Sequence, residues 1–115
     1  GMGIKYLSEA VNMIAPVEDL LVEGIVEPIQ VATAGARVVR IAHSRGTILF
    51  VSEYSFDKVE VIVPNLTKAK AQVVDLDTRT VVATLEAPPY DFKITLDTDR
   101  ARLFYVGDPA KLKNN

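Results

Sequence analysis

His43 is the only histidine in the sequence, and the sequence contains no cysteine. A serine nucleophile needs a base beside it, and no serine here lies in a Gly-x-Ser-x-Gly elbow. A zinc site needs several His or Cys ligands, which one histidine does not supply. His43 is therefore predicted to be a strand-end side chain beside the turn at residues 44–46, and neither a metal nor another cofactor is expected.

Carboxylates are the other candidates for chemistry, because they ligate calcium and, in pairs, cleave glycosidic bonds. The Asp97-x-Asp99 pair lacks the further ligands and glycine of a calcium loop and is typical of turns. A catalytic pair about 5–10 Å apart is not identifiable among 15 acidic residues, and Glu53 and Glu60 are expected on solvated strand faces. The aspartates weighed as calcium ligands are Asp75, Asp77, Asp91, Asp97 and Asp99.

Aromatic side chains near predicted turns are the candidates for stacking on a sugar. The chain has no tryptophan, four tyrosines and four phenylalanines. Tyr54, Phe56, Tyr90 and Phe92 lie near predicted turns, where they would either line a shallow surface or cap the core. The core is the favoured interpretation, and no catalytic, cofactor-binding or metal residue is assigned.

These residues belong to a chain that reads mainly as short strands rich in Val, Ile, Thr and aromatic residues. Turn residues recur about every ten positions, which is too close for the crossover that parallel strands need. The sequence therefore predicts a mainly β domain, an antiparallel β-sandwich of about eight strands. The predicted strands are Ile25–Thr33, Arg37–His43, Thr47–Glu53, Lys58–Pro64, Ala69–Leu76, Val81–Glu86, Asp91–Leu96 and Ala101–Val106.

A short helical lead is predicted before the strands. Apolar residues within Tyr6–Leu21 follow the spacing of one helix face. Pro16 suits the first turn of a helix better than its interior, which places a break near Ala15 and a second helix from Pro16 to about Val22, closed by Gly24. The predicted organisation is a lead over residues 1–24, a sandwich over 25–107 and a tail over 108–115.

Composition narrows the range of partners. The 115 residues carry a net charge of −2, and the 13 basic residues form no run of the kind that tracks phosphates, so nucleic acid is not expected. No apolar stretch approaches the roughly 20 residues that span a bilayer, so no membrane partner is expected. The lack of cysteine excludes a disulfide scaffold and leaves the compartment open.

Two stretches, Thr47–Val63 and Val73–Val106, resemble the C-terminal β-sandwich of multidomain glycoside hydrolases, including β-galactosidase-like and α-amylase-like enzymes. The similar motifs are a Val-x-Val-x-Val-Pro strand at residues 59–64 and a Val-x-Asp-Leu-x-Thr run at residues 73–78. Glu53 stands where that family typically has Asn, and Arg79 where a Gly often follows the Thr. The resemblance implies a non-catalytic domain that packs on a catalytic barrel or mediates assembly.

The expected function is thus a non-catalytic accessory module of a carbohydrate-active enzyme, with a structural or assembly role and no enzymatic activity of its own. Its expected partner is a protein, either a catalytic domain or another copy of the chain, and carbohydrate is a further possible ligand. The alternative is a stand-alone interaction protein that self-associates through sheet edges or its N-terminal helices. A small enzyme would require the acidic residues to converge in a pocket.

Overall fold

The computed structural model describes residues 15–53, 58–96 and 101–112. A 3₁₀ turn leads into one short helix, α1, which eight strands follow, and a second 3₁₀ turn ends the described chain. The elements are the 3₁₀ turn Ala15–Val17, α1 Glu18–Glu23, β1 Ile25–Ile29, β2 Ala36–His43, β3 Gly46–Glu53, β4 Val59–Val63, β5 Ala71–Asp75, β6 Thr80–Leu85, β7 Phe92–Leu96, β8 Ala101–Gly107 and the 3₁₀ turn Pro109–Lys111.

The eight strands form two antiparallel sheets. Six of them make one sheet in the order β1-β2-β3-β8-β5-β6, and β4 pairs with β7 in a second sheet. The predicted mainly β, antiparallel architecture with a short helical lead is confirmed. The sequence alone did not predict which strands are neighbours. The strands β4 and β7 alternate apolar and polar residues as other strands do, so nothing in their pattern assigns them to a separate sheet.

The main core lies between the two sheets. Leu49 and Val51 of β3 and Phe104 of β8 point from the large sheet towards Val61 of β4 and Ile94 of β7, and all five are at most 2% exposed. Alternate residues of a strand point to opposite faces, so each strand contributes every second residue to this core. The period-2 pattern of the sequence is therefore the pattern of sandwich packing.

The opposite face of the large sheet is also covered, by the helical lead. Val17 and Leu20 are fully buried against Ile48 of β3, Val74 of β5 and Tyr105 of β8. Because this sheet is buried on both faces near its centre, β3 reads as a nearly continuous apolar run. The domain has three layers, namely the β4–β7 sheet, the six-stranded sheet and a thin helical layer.

The lead agrees with the predicted second helix. The chain turns at Ala15–Val17, α1 continues to Glu23, and the Gly24 N–H donates to the Leu20 carbonyl at 2.8 Å, which ends the helix. An added Cβ at Gly24 would lie 2.4 Å from Ile41, so glycine lets α1 turn directly into β1.

The predicted first helix lies outside the described residues, and the division into lead, sandwich and tail stays a prediction. None of the described helices has the length and apolar character to cross a membrane.

Both free edges of the large sheet carry features that oppose pairing with another strand. Pro28 lies in edge strand β1 and has no N–H to donate. At the other edge, Val73 pairs with Ala83 but Val74 pairs with Val81, so Val82 is the extra residue of a β-bulge. Prolines and bulges are two of the devices by which proteins protect exposed strand edges.

Candidate functional site

His43 closes β2, as the sequence predicted, and both of its ring nitrogens have partners. The Arg45 backbone N–H donates to Nδ1 at 3.0 Å, and Nε2 lies 2.8 Å from Glu23 Oε2. Because a backbone N–H only donates, Nδ1 must be an acceptor, and the proton of the neutral ring lies on Nε2, where it donates to Glu23. This arrangement leaves neither nitrogen free to act as a general base or a metal ligand.

Asp19, Glu23 and His43 place one ligand atom each within 4.8 Å of one another, and they are the one such group in the described ranges. Asp19 and Glu23 are one helical turn apart on α1, so they share a face. Both oxygens of Asp19 accept hydrogen bonds from Arg45. The group is therefore a hydrogen-bonded network, in which the Arg45 guanidinium pairs with Asp19 and the His43 ring bonds Glu23.

Arg45, in the turn between β2 and β3, is the centre of that network. Its Nε donates to Asp19 Oδ2 at 2.9 Å, and its Nη2 donates to the Pro16 carbonyl at 2.9 Å. Its Nη1 donates to the Lys111 carbonyl of the tail. The hydrogen bond to Asp19 raises the pKa of the Arg45 guanidinium above its usual value. Arg45 thus joins the lead, a hairpin turn and the tail.

Tyr105 completes this cluster beneath Arg45. Its hydroxyl lies 2.8 Å from the Arg45 carbonyl and 3.0 Å from the Asp108 carbonyl, to which it donates. The ring leaves no room at Gly46, where an added Cβ would lie 2.3 Å from Cε2. Burial raises the pKa of the Tyr105 hydroxyl. The tyrosine is a packing residue with a satisfied hydroxyl.

Sequence reasoning did not single out Asp19, Arg45 or Tyr105. The signal for Asp19 was its spacing of four residues from Glu23 on a predicted helix. Nothing local marks Arg45, because its partners lie 26, 29 and 66 residues away along the chain. Only the fold brings these residues together.

The acidic candidates that the structure describes are not gathered into one site. Asp75 is 5% exposed, its Oδ1 accepts the backbone N–H of Asp77 at 2.8 Å, and its Oδ2 lies 2.5 Å from Arg102. Asp91 accepts the backbone N–H of Asn65 at 2.9 Å. Asp75 and Asp91 therefore stabilise turns, while Asp97 and Asp99 lie outside the described residues.

Glu53 differs from the expectation that it lies on a solvated face. It is 1% exposed, because it ends β3 on the face that carries Leu49 and Val51. An added Cβ at Gly35 would lie 3.0 Å from Glu53 Oε1, so the carboxylate sits directly under the preceding turn. Glu60 agrees with the expectation, since it is exposed and pairs with Lys93 at 3.3 Å.

The aromatic candidates in the described ranges belong to the core. Phe92 is 6% exposed and makes an edge-to-face contact with Phe104 at a centroid distance of 5.2 Å. Tyr90 is partly buried and packs against the same core. Tyr54 and Phe56 lie outside the described residues. Phe92 and Tyr90 therefore form no open stacking platform.

A shallow, open depression of about 460 Å³ lies beside β5, β6 and the tail. Its polar lining includes Lys70, Gln72, Glu86 and Asp108, and no aromatic ring contributes to it. The lining offers hydrogen bonds without the stacking surface on which sugars usually rest.

Apolar exposure is greatest where α1 turns into β1. Val22 is 79% exposed, Ile25 75% and Val26 64%, whereas three further large apolar side chains of the described residues, Ile62, Val81 and Val82, are between 45% and 50% exposed. We name the first three residues the apolar ridge. They form the most exposed apolar surface of the described chain.

The structure belongs to the class of antiparallel β-sandwich domains, here with a third, helical layer. The polar network of Asp19, Glu23, His43 and Arg45 holds that helical layer on the sheet. This fold occurs within α-amylase chains. An α-amylase from Anoxybacillus, described as giving insight into a new glycosyl hydrolase subclass, matches 97% of this chain with a TM-score of 0.70 and 13% sequence identity. AmyP, solved as a variant in complex with maltotriose, matches 75% of this chain with a TM-score of 0.57 and 18% identity.

The match involves a small part of each of those proteins. This chain corresponds to 23% of the Anoxybacillus chain and 17% of the AmyP chain. No protein-family model matches the sequence, and the comparison with curated proteins found no match. The predicted resemblance to a β domain of glycoside hydrolases is confirmed at the level of the fold.

Proposed function

We propose that this chain is a non-catalytic accessory β-sandwich module of a carbohydrate-active enzyme, a glycoside hydrolase, with a structural or assembly role. The observation that carries the proposal is the asymmetry of the fold match. Nearly all of this chain, 97%, corresponds to only 23% of an α-amylase. A domain that accounts for so small a share of a hydrolase leaves most of the chain to perform the catalysis.

The polar clusters of the described residues support the same proposal. His43, Asp19 and Asp75 each satisfy hydrogen bonds that hold turns and the helical layer in place. A catalytic acid and base must be available to a substrate. These side chains are used for architecture, as a structural module requires. The organisation that accompanies this proposal is a sandwich over residues 25–107, flanked by the lead and the tail.

The proposal is tested first on the chain alone. Purified chain is incubated with soluble starch and with maltotriose, and released reducing ends are measured against an α-amylase as positive control. We expect no release above buffer. Hydrolysis that co-purifies with the chain and scales with its concentration would contradict a non-catalytic role.

The second test concerns the partner. The gene product is expressed from its complete reading frame in the source genome and purified, and its remaining domains are assayed for glycoside hydrolysis. We expect a hydrolase domain on the same polypeptide or in a complex with it. A gene product that neither contains nor binds a glycoside hydrolase would refute the proposal. Thermal shift with maltotriose separately tests for direct sugar binding.

The alternative, a stand-alone protein that self-associates, has less support. Its specific motivation is that the large sheet ends in two free strands, β1 and β6. Pro28 and the bulge at Val82 oppose pairing at those two edges, and the apolar residues Val17 and Leu20 of the lead are already buried. Light scattering across a concentration series distinguishes the alternatives, since the accessory module should stay monomeric in isolation.

A further inference from the structure

We propose that the apolar ridge, Val22, Ile25 and Val26, is the surface by which this module docks on its catalytic domain, and that the partner surface is an apolar groove lined with Lys or Arg side chains. The inference rests on the proposed function. It goes beyond it by assigning the contact to one end of the large sheet and by stating the chemistry of the other side.

The shape of the ridge follows from the register of β1. Val26 pairs with Ile41 and Ile25 pairs with Ala42. Directly paired residues of an antiparallel sheet share a face, so Val26 lies on the helical side, with Ile41, and Ile25 lies on the opposite side. The edge strand therefore presents apolar side chains on both of its faces. Such a projecting edge fits a groove better than a flat surface.

The segment that carries the ridge is acidic, and its four carboxylates outnumber the two arginines that pair with them, Arg45 with Asp19 and Arg40 with Glu27. Residues 15–36 contain four acidic side chains and no lysine or arginine. Glu18 is exposed, and Glu23 and Glu27 remain 63% and 55% exposed in their contacts with His43 and Arg40. Complementary potentials favour association and suppress wrong partners, so the matching surface should be basic at its rim.

The same observations argue against a second copy of this chain as the occupant. Stable two-protein interfaces bury about 800 Å² per partner and involve about 20–30 residues a side, whereas the ridge is three side chains. A two-fold contact would bring together two segments that each carry a net negative charge, and Pro28 removes a donor from the edge. A domain tethered in the same chain requires less contact area, because the tether supplies a high effective concentration.

The experiment compares variants of the complete gene product by calorimetry. The ridge variant carries Val22→Gln and Ile25→Thr, which suit a helix and a strand respectively. The matched control carries Val81→Thr and Val82→Thr, two exposed apolar residues at the opposite edge. We expect one cooperative unfolding transition for the unchanged protein and the control, and two separate transitions for the ridge variant. Glu18→Lys should act in the same direction, with Glu86→Lys as its control.

The results separate the two proposals. In this isolated chain, the ridge substitutions should leave the urea midpoint unchanged, which shows that the module itself still folds. A single transition retained in the ridge variant overturns the docking inference and leaves the accessory function standing. Splitting in the control as well as the ridge variant also overturns it. A complete gene product with no hydrolase domain or partner overturns the proposed function itself.

Discussion

Arg79 holds a backbone conformation that glycine usually takes. Its φ is 60°, in the left-handed region, and its N–H donates to the Asp75 carbonyl at 2.8 Å to close the turn between β5 and β6. The sequence pattern of the resembled hydrolase domains often has glycine after the Thr of this turn. The geometry explains that preference, because glycine has no Cβ to oppose a positive φ.

Replacing Arg79 should therefore reveal the backbone requirement. Arg79→Val should lower the free energy of unfolding by about 1–2 kcal/mol, because a β-branched residue is strained at positive φ. Arg79→Gly should stay within about 1 kcal/mol of the unchanged chain, because the relief of strain offsets the loss of the side-chain hydrogen bond to Leu76. Urea denaturation measures both, and equal losses would show that the side chain, not the backbone, decides.

Tyr105 predicts a dependence of stability on alkaline pH. Burial raises the pKa of its hydroxyl in the folded state, while an unfolded tyrosine titrates near 10. As the pH rises above about 10, the unfolded chain loses this proton first, so folding stability falls until the folded pKa is passed. Below that window the stabilising contribution is fully present.

The Tyr105→Phe variant isolates this effect. At neutral pH the variant should lose about 1 kcal/mol, the usual cost of one internal hydrogen bond. Its urea midpoint should then fall less steeply than that of the unchanged chain between pH 9 and 11. Parallel curves for the two proteins over that range would show that Tyr105 does not titrate differently in the folded state.

At the scale of elements, one guanidinium fastens the helical lead to the sheet. Arg45→Met keeps the apolar stem but removes the bonds to Asp19, Pro16 and Lys111. The free energy of unfolding should fall by about 1.5–3 kcal/mol, the range for hydrogen bonds to charged groups. Amide exchange at Gly24, whose N–H bonds to Leu20, should accelerate more than exchange in β3.

An exposed ion pair provides the control. Lys93 and Glu60 lie 3.3 Å apart with side chains 63% and 51% exposed, so Lys93→Met should change stability by no more than about 0.5 kcal/mol.

Arg45→Lys should behave like Arg45→Met, because an ammonium cannot reproduce the two-pronged contact with Asp19. Full stability in Arg45→Lys would refute the geometric role.

Sequence and structure agree where the determinant is local. The alternation of Val59–Val63 and Phe92–Leu96 predicted strands with one buried face, and those are β4 and β7. β1 ends at Ile29 instead of extending to Thr33, whose hydroxyl instead donates to the Glu60 carbonyl across the sandwich. Contacts between distant segments set that boundary, and they leave no mark in a local pattern.

The candidate site shows the same limit. The strand-end position of His43 was predictable from the turn that follows it, but its bond to Glu23 required α1 to lie across β2. The burial of Glu53 was not predictable, because the alternation of β3 gives two possible faces and only the arrangement of sheets decides which is inner. Which face of β3 is buried depends on how the two sheets pack against each other.

For the whole molecule, the protected sheet edges predict solution behaviour. Pro28→Thr restores a donor to edge strand β1 and introduces a residue that favours strands. We expect this variant to associate as concentration rises, while the unchanged chain stays monomeric, as measured by light scattering after size exclusion. Pro64→Thr, in the turn after β4, is the matched control. A monomeric Pro28→Thr variant would show that the proline does not guard the edge.

The position of Arg45 also bears on how the domain connects to other proteins. One side chain bonds the carbonyl of Pro16, near the start of the described chain, and that of Lys111, near its end. Two points near the ends of the described chain, Pro16 and Lys111, are therefore close together. A domain with adjacent ends can be spliced into a surface loop of a host with little distortion of that loop. The part of the domain that the structure describes, from residue 15 to residue 112, therefore has a geometry that suits an insert as well as an addition at a terminus.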